Sequence, residues 1–206
     1  MVSIEVIMGN TYDHLILISI TLFASIAISI PLAFASLYSR FIANFVIRFA
    51  NLAQAVPSLA VIAIVVPLLG IGFTPALVAI LLRALLPIIK NTYIGLSNID
   101  PALVDYARGV GMSEWQIHRY IRLPNAYPAI FAGIKFAAIL VNSVAILTAY
   151  IGSGGLGELI FEGLISFNNE KIFAGAIPAI LIALIIDVGF TALEKRLMPF
   201  KYKSTD

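Results

Sequence analysis

Long apolar runs separated by short polar stretches dominate this sequence, and few of the runs carry a charge. A helix needs about 20 largely apolar residues to cross the hydrocarbon core of a bilayer. Five runs are of about this length: residues 15–37, 52–69, 74–94, 128–151 and 172–193. Alternating segments of the barrel type are absent from the pattern. We therefore expect an all-α, polytopic membrane protein of about five transmembrane helices, forming a single domain over residues 1–206.

The composition agrees with a membrane protein, since 61% of the residues are hydrophobic, 12% are charged and the mean hydropathy is +1.01. Because the chain has no cysteine, disulfide bonds and thiolate metal sites are excluded. The net charge of +2 gives no reason to expect nucleic acid as a partner. Several prolines lie within or at the ends of the apolar runs and predict kinked helices around a pathway: Pro31, Pro57, Pro67, Pro87 and Pro178.

Lysine and arginine are distributed unequally between the two sides. Residues 1–14 contain neither, so they do not resemble a secretory signal and the first run should be retained as a span. With the amino terminus outside, the outer side has only Lys171, while Arg83 and Lys135 fall within spans. The positive-inside rule therefore predicts a cytoplasmic carboxyl terminus. The inner residues are Arg40, Arg48, Lys90, Arg108, Arg119, Arg122, Lys195, Arg196, Lys201 and Lys203.

A polar segment, residues 100–124, lies between the third and fourth runs and is cytoplasmic in this orientation. Asp100 followed by Pro101 is typical of a helix N-cap with proline in the first turn. The helix predicted from these signals covers 101–108 and stops at the glycines that follow, Gly109 and Gly111.

A second short helix should begin at Ser113, because Ser113-Glu-Trp-Gln116 fits a capping box. Pro124 is expected to end it before the fourth span. The segment is then a helix, a sharp glycine turn and a second helix that protrude from the membrane. On local signals alone, an amphipathic loop lying on the lipid headgroups, with Trp115 and Tyr120 as anchors, is an equally good interpretation.

The same segment contains Asp-Tyr-Ala-Arg-Gly-Val-Gly at 105–111 and, after nine residues, Ile-Arg-Leu-Pro at 121–124. It resembles the EAA loop of permease subunits of binding-protein-dependent ABC importers, whose pattern is E-A-A, three residues, G, nine residues and I-x-L-P. The spacing is met at every step. Two departures, Asp105 for the glutamate and Tyr106 for the first alanine, affect contact details of the loop.

Other stretches are similar to the osmoprotectant branch of this family, the glycine betaine, carnitine and choline permeases. They are the sequences KNTYIGL at 90–96, RGVGMS at 108–113, AGIK at 132–135 and LTAYIGSGGLG at 147–157. The similarity extends from about residue 21 to 197. It implies the type I ABC importer transmembrane fold, which is methionine-permease-like, and a place in the bacterial cytoplasmic membrane.

The resemblance also implies a function, import of compatible solutes, and a set of partners. These are a second permease copy or paralogue, two cytoplasmic ATPase subunits, an extracytoplasmic substrate-binding protein and the lipid bilayer. No G-x-x-x-x-G-K-[ST] motif occurs, so we expect no enzyme activity and no directly bound cofactor, with ATP at the partner subunits. The implied ATPase-coupling loop comprises Asp105, Tyr106, Ala107, Arg108, Gly109, Gly111, Met112 and Ser113.

Polar residues within spans are candidates for the translocation path, because ionisable groups in a membrane are costly. Arg83 lies near the middle of the third span and could face the path or pack against the second permease subunit. Asn142, Ser143 and Thr148 on the fourth span could line a hydrophilic passage, although small residues also mediate helix packing.

Lys135 and Asp187 are a candidate ion pair within the membrane. Each lies about seven residues from the cytoplasmic end of its span, which is roughly 10 Å at 1.5 Å per residue, so their depths match. In the alternative, Lys135 extends to the headgroups and Asp187 is hydrated by the pathway.

Gly152-Ser-Gly-Gly-Leu-Gly157 satisfies the G-x-G-x-x-G pattern, but a dinucleotide site needs a preceding strand, which is missing here. Gly152, Gly154, Gly155 and Gly157 are instead predicted to form a tight outer loop facing the binding protein. His14 and His118 are expected to be ordinary surface residues, and no metal site is predicted.

A function of another class, a secondary transporter or a non-transporting membrane scaffold, stays open as the alternative. A secondary transporter should show an internal repeat, and the sequence has none that we detect.

Overall fold

The computed structural model describes residues 2–197, without the side chains of Arg40, Ala50 and Ala53. Lys201 and Lys203, counted above as cytoplasmic, lie outside the described residues. All regular structure between residues 2 and 197 is helical, which confirms the all-α class. The helices are α1 Ile4–Tyr38, α2 Arg40–Ala55, α3 Ser58–Leu69, α4 Phe73–Ser97, α5 Pro101–Gly109, α6 Glu114–Gln116, α7 Leu123–Thr148, α8 Leu156–Ile165 and α9 Asn169–Leu197.

Four helices in the described part of the chain are long and apolar enough to cross a membrane. They are Ile4–Tyr38, Phe73–Ser97, the continuous helix Glu114–Ile151 and Asn169–Leu197. These correspond to four of the five predicted spans. Each is longer than its apolar run, because polar residues at the ends continue the helix beyond the hydrocarbon core.

The predicted span over residues 52–69 is not one helix. It is divided between the end of α2 and the 12-residue α3, with Val56 extended at φ −74° and ψ 128°. The physical reason is Pro57, which has no N–H and disfavours helical backbone at the residue before it. At 1.5 Å per residue α3 is about 18 Å long and too short to span a bilayer alone. The structure therefore has two separate helices here, joined at Val56 and Pro57.

The core of the fold is built around α4, which packs against α7 and α1. Two glycines allow the close approach of α4 and α7. A Cβ at Gly133 would lie 2.8 Å from the Cβ of Asn91, and one at Gly95 would lie 2.7 Å from the Cβ of Ala129. The largest apolar cluster joins α1, α4, α7, α8 and α9 through buried residues such as Leu17, Ile80, Ile88, Val141 and Leu156.

Pro124 does not end a helix, contrary to the prediction. α6 passes through a π-helical turn, Ile117–Arg122, directly into α7. A proline inside an α-helix loses one hydrogen bond and clashes with the preceding turn. The wider π turn just before Pro124 is where such a residue can be accommodated without breaking the helix. The polar segment is therefore joined rigidly to the membrane part of α7.

Candidate functional site

Both helices of the polar segment begin where the local sequence signals predicted. Asp100 accepts a hydrogen bond from the amide of Ala102 at 2.9 Å, and Pro101 opens α5. The capping box is also present: the Ser113 amide donates to Gln116 Oε1 at 2.8 Å, and the Gln116 amide donates to Ser113 Oγ at 3.3 Å. Both helices thus begin with capped amides.

Gly111 forms the turn between these helices with φ at +86°, a conformation that residues with a Cβ rarely adopt. Its amide donates to Arg108 O at 2.9 Å, and the Met112 amide donates to Ala107 O at 3.0 Å. These bonds close the carboxyl end of α5. Gly109, by contrast, has ordinary helical backbone and is the last residue of α5.

A small apolar cluster holds the two helices together. Ala107, which is 5% exposed, packs with Val104 and with the fully buried Ile117. Met112 and Ile121 cover this cluster from the side. The third position of the E-A-A triplet is therefore an internal contact, and an alanine there keeps α5 close to the second helix.

Large apolar side chains stand exposed on the opposite face of this segment. Tyr106 is 76% exposed and Val110 is 79% exposed, one helical turn apart. Trp115 and Tyr120 are also exposed and contact each other edge to face, with ring centroids 6.3 Å apart. Such a concentration of apolar side chains is typical of a surface that a partner covers.

Arg108 bridges the turn. Its Nε donates to Glu114 Oε1 at 2.9 Å, and its Nη1 lies 3.6 Å from Asp105 Oδ1. The hydrogen bond to Glu114 raises the pKa of the Arg108 guanidinium. The bridge is solvent-exposed, so its effect on stability is small, but it restricts the angle between the two helices. Glu114 was not among the predicted site residues.

Two residues that were not among the predicted site residues connect the segment to the membrane helices. His118 is half-buried, not a surface histidine as predicted, and its ring lies 5.5 Å from that of Tyr38 and 6.4 Å from that of Phe34 at the end of α1. Arg122 donates to Leu96 O in the last turn of α4 at 2.8 Å. Cationic side chains are favourable at helix carboxyl ends, and Arg122 stands within the I-x-L-P stretch that signalled this segment.

The polar residues predicted for a translocation path are not brought together. Asn142 and Thr148 are buried, whereas the Ser143 hydroxyl bonds its own helix at Ile139 O. Arg83 lies elsewhere, at the break between α2 and α3, where its Nη1 donates to Val56 O at 2.8 Å and to Gln54 O at 3.5 Å. Asn142 and Thr148 therefore serve packing within this chain.

His14 is completely buried, so its prediction as a surface histidine is wrong. Its Nε2 lies 3.1 Å from Asn142 Oδ1, and Asn142 Nδ2 donates to Ala179 O at 3.3 Å. Because the amide nitrogen is committed to Ala179, Oδ1 must accept and Nε2 carries the proton. This pair joins α1, α7 and α9.

Lys135 and Asp187 are in contact, with Nζ 2.5 Å from Oδ1. Lys135 Nζ also donates to Thr191 Oγ1 at 2.8 Å, and Thr191 Oγ1 donates to Asp187 O at 2.8 Å. Thr191, one turn after Asp187, was not predicted as part of this group.

The glycine loop predicted to face a binding protein divides into two parts. Gly152 is exposed and Gly154 half-buried, but Gly155 and Gly157 are buried. A Cβ at Gly155 would lie 3.2 Å from the Cβ of His14, and one at Gly157 would overlap Ile146 O. The last two glycines therefore allow α8 to pack against α1 and α7 and cannot contact an external protein.

Comparison with known proteins agrees with this architecture. The chain is 40% identical over 190 residues to the carnitine transport permease protein OpuCB of Listeria monocytogenes, covering 92% of this chain and 87% of that one. It is 38% identical over 190 residues to the glycine betaine/carnitine/choline transport system permease protein OpuCB of Bacillus subtilis, covering 92% and 88%.

Among solved structures, an inward-facing form of the MetNI methionine ABC transporter matches with a TM-score of 0.82 at 17% identity, covering 94% of this chain and 97% of that one. This likeness shows that the fold is that of a type I ABC importer permease. The family model for binding-protein-dependent transport system inner membrane components matches residues 15–199. The chain therefore belongs to the family of binding-protein-dependent transport system inner membrane components.

Proposed function

We propose that this protein is the membrane-spanning permease subunit of an ATP-driven importer for compatible solutes such as glycine betaine, carnitine or choline. Its relatives carry such names. The observation that supports the coupling role best is the exposed pair Tyr106 and Val110 on a segment stiffened from within by Ala107 and Ile117. The proposed partner at this surface is a cytoplasmic ATPase subunit.

The polar segment, residues 100–124, which we call the coupling segment from here on, suits the transmission of a rigid-body motion. Its two capped helices are packed together, and the second is continuous with α7. His118 contacts the end of α1 and Arg122 contacts the end of α4, so a displacement of the segment would reach three membrane helices at once. Closure of the ATPase dimer on ATP would in this way rock the helices between two packed arrangements. ATP is held and hydrolysed by the partner subunits.

The remaining partners follow from the same proposal. A second permease subunit completes the route, and an extracytoplasmic binding protein delivers the solute at the end of the fold that carries Gly152 and Phe167. The amino terminus lies outside and the carboxyl terminus in the cytoplasm. The identity of the solute is determined largely by the binding protein.

The proposal is tested by replacing the exposed pair in the complex formed with the cognate ATPase and binding protein. Tyr106→Ser with Val110→Ser should reduce copurification of the ATPase subunit by about tenfold or more and abolish ATP-dependent uptake of labelled glycine betaine and carnitine. Phe167→Ser is the matched control for copurification of the ATPase subunit alone, because Phe167 is 93% exposed at the other end of the fold. Undiminished copurification in the double variant, at equal abundance in the membrane, would refute the assigned contact.

A further inference from the structure

The chain exposes two kinds of surface in its membrane part. Along α1 and α9 the exposed side chains are mainly bulky and apolar: Phe23 is 74% exposed, Ile185 70% and Val188 65%. Side chains of this kind match the hydrocarbon tails of lipids, which are about as apolar as leucine. We therefore expect the outward faces of these two helices to contact the bilayer.

The outward surface of α2 is different. Its exposed residues line an open hollow of about 400 Å³, and we call this surface the α2 face. On the opposite side of α2, Ala43 is 3% exposed and packs within the chain. In the part of the chain that the structure describes, Asn44 and Arg48 form no side-chain hydrogen bond or ion pair. The residues of the α2 face are Phe41, Asn44, Phe45, Arg48, Phe49 and Leu52.

Contacts with α4 give the depth of α2 in the proposed orientation. Lys90 donates to Asn51 Oδ1 at 3.1 Å, and Arg83 donates to Val56 O at 2.8 Å. At 1.5 Å per residue, Lys90 lies about 6 Å and Arg83 about 16 Å inside the cytoplasmic end of the apolar run 74–94. The carboxyl-terminal part of α2 therefore lies at hydrocarbon depth, and the α2 face extends from the cytoplasmic boundary into the membrane.

Lipid does not suit this side of α2 as a neighbour. A lysine near the boundary can extend its amine to the headgroups, but Lys90 binds Asn51 instead. Gln54, one turn further along α2, is also exposed, and its short amide side chain lies deeper in the membrane. Polar side chains at hydrocarbon depth are costly unless other polar groups bind them. This side of α2 therefore needs a neighbour that offers hydrogen bonds.

We infer that the second permease subunit covers the α2 face in the assembled importer. This inference rests on the proposed function, in which the complex contains permease, ATPase and binding-protein subunits. The ATPase and the binding protein lie on the two sides of the bilayer, so the second permease subunit is the partner that reaches hydrocarbon depth. Asparagine and glutamine side chains that hydrogen-bond across helices stabilise contacts between membrane helices, and phenylalanine side chains contribute contact area.

Charge and hydrogen bonding define the partner surface that fits. Residues 14–99 contain no aspartate or glutamate, so this part of the chain offers Arg48 no carboxylate. The partner must therefore bring oxygen atoms to Arg48, from amide or carboxylate side chains, and an apolar side chain to the hollow beside Phe45 and Phe49. Asn44 carries both donors and an acceptor, so it can bind an amide on the facing helix. A permease helix with a polar and an apolar stripe side by side has this chemistry.

Photocrosslinking in the full complex of both permease subunits, ATPase and binding protein tests what covers the face. Phe45, which is 64% exposed, is replaced with the photoreactive benzoylphenylalanine, and Phe23 on α1 is the matched control. Irradiation in the membrane should join the Phe45 variant to the second permease subunit and should give the Phe23 variant no adduct with protein. Phe49, which is 52% exposed and one turn along α2, is replaced in the same way, so that failure of one variant to assemble leaves the other.

A second measurement uses the polar residues of the α2 face. Asn44→Leu with Arg48→Leu should lower copurification of the second permease subunit by about threefold or more, the effect expected from the loss of interhelical hydrogen bonds. Ser19→Leu, at an exposed polar position on α1, is the matched control and should leave copurification unchanged. Copurification of the ATPase subunit with each variant shows that the chain is folded.

The outcomes separate this inference from the proposed function. Adducts with lipid alone or with the ATPase at Phe45 and Phe49, or no adduct at either position, would overturn the inference, as would an equal permease adduct from Phe23. Unchanged copurification in the double variant would overturn the contact assigned to Asn44 and Arg48. Absence of glycine betaine, carnitine and choline uptake by the wild-type complex would refute the proposed function, and the crosslinking result would stand apart from it.

Discussion

Lys135 Nζ lies 2.5 Å from Asp187 Oδ1 and links α7 to α9 within their membrane-spanning parts. The two residues are far apart in the sequence, on successive predicted spans. The side chains are 28% and 50% exposed on the isolated chain, so the pair is at the edge of the bundle and not in its centre. Thr191 contacts the Lys135 amine and completes a three-residue group.

We expect Lys135→Met and Asp187→Asn each to lower the thermal stability of the detergent-solubilised protein, because each leaves one charge without its partner in a poorly solvated place. The double variant should recover part of the loss, with an interaction energy of roughly 1–2 kcal/mol in a double-mutant cycle. Thr191→Val is the control for the neighbouring hydrogen bond. Strict additivity of the two single effects would show that the contact contributes nothing.

Gly111 and Gly109 provide a matched pair in the coupling segment. Gly111→Ala should destabilise the turn by about 1–2 kcal/mol because its φ is +86°, and Gly111→Asp should abolish uptake while the protein still inserts. Gly109→Ala should be tolerated, since Gly109 has helical backbone and open space around its Cα. The measurements are solute uptake and ATPase activity at equal membrane abundance. Wild-type uptake in Gly111→Asp would contradict a coupling role.

The orientation can be tested with single cysteines and an impermeant thiol reagent in intact cells. Ser153 is unsuitable because it is buried and its hydroxyl donates to Thr148 Oγ1 at 3.0 Å. Ser166, which is exposed between α8 and α9, should be labelled from outside, whereas Ser97, exposed at the end of α4, should react only after permeabilisation. The reverse pattern would place the amino terminus in the cytoplasm.

The buried pair of His14 and Asn142 should contribute to stability through its hydrogen bonds. We expect Asn142→Leu to cost about 1–3 kcal/mol, because the His14 Nε2 proton is left without an acceptor. Combining it with His14→Leu should cost less than the sum of the single changes, since no buried donor is then stranded. Ser143→Ala, at an exposed neighbour, is the control. Thermal unfolding in detergent measures all four proteins, and a harmless Asn142→Leu would argue against the hydrogen bond.

The sequence by itself determined the features that depend on neighbouring residues or on composition. Four of the five apolar runs correctly predicted long helices. Whether an apolar run is long enough to cross a bilayer can be judged without knowing which residues it contacts. The caps at Asp100 and Ser113 and the turn at Gly111 were predicted correctly, since each is closed by hydrogen bonds between residues close together in the chain. The family was also identifiable from residues 105–124, because the EAA pattern is a matter of residue types and their spacing.

Only the tertiary structure decided the features that join distant parts of the chain. Hydropathy could not reveal that the helix is interrupted at Pro57. The Val56 carbonyl at the interruption accepts its hydrogen bond from Arg83, which is 27 residues away in the sequence. It could not separate a surface histidine from His14, whose partner Asn142 is 128 residues away. Gly155 and Gly157 were predicted to face an external protein, yet their lack of a Cβ serves helix packing. The burial of a residue depends on the side chains that surround it in the fold. The periodicity of apolar residues shows only how they are spaced along one helix, so it does not identify those neighbours.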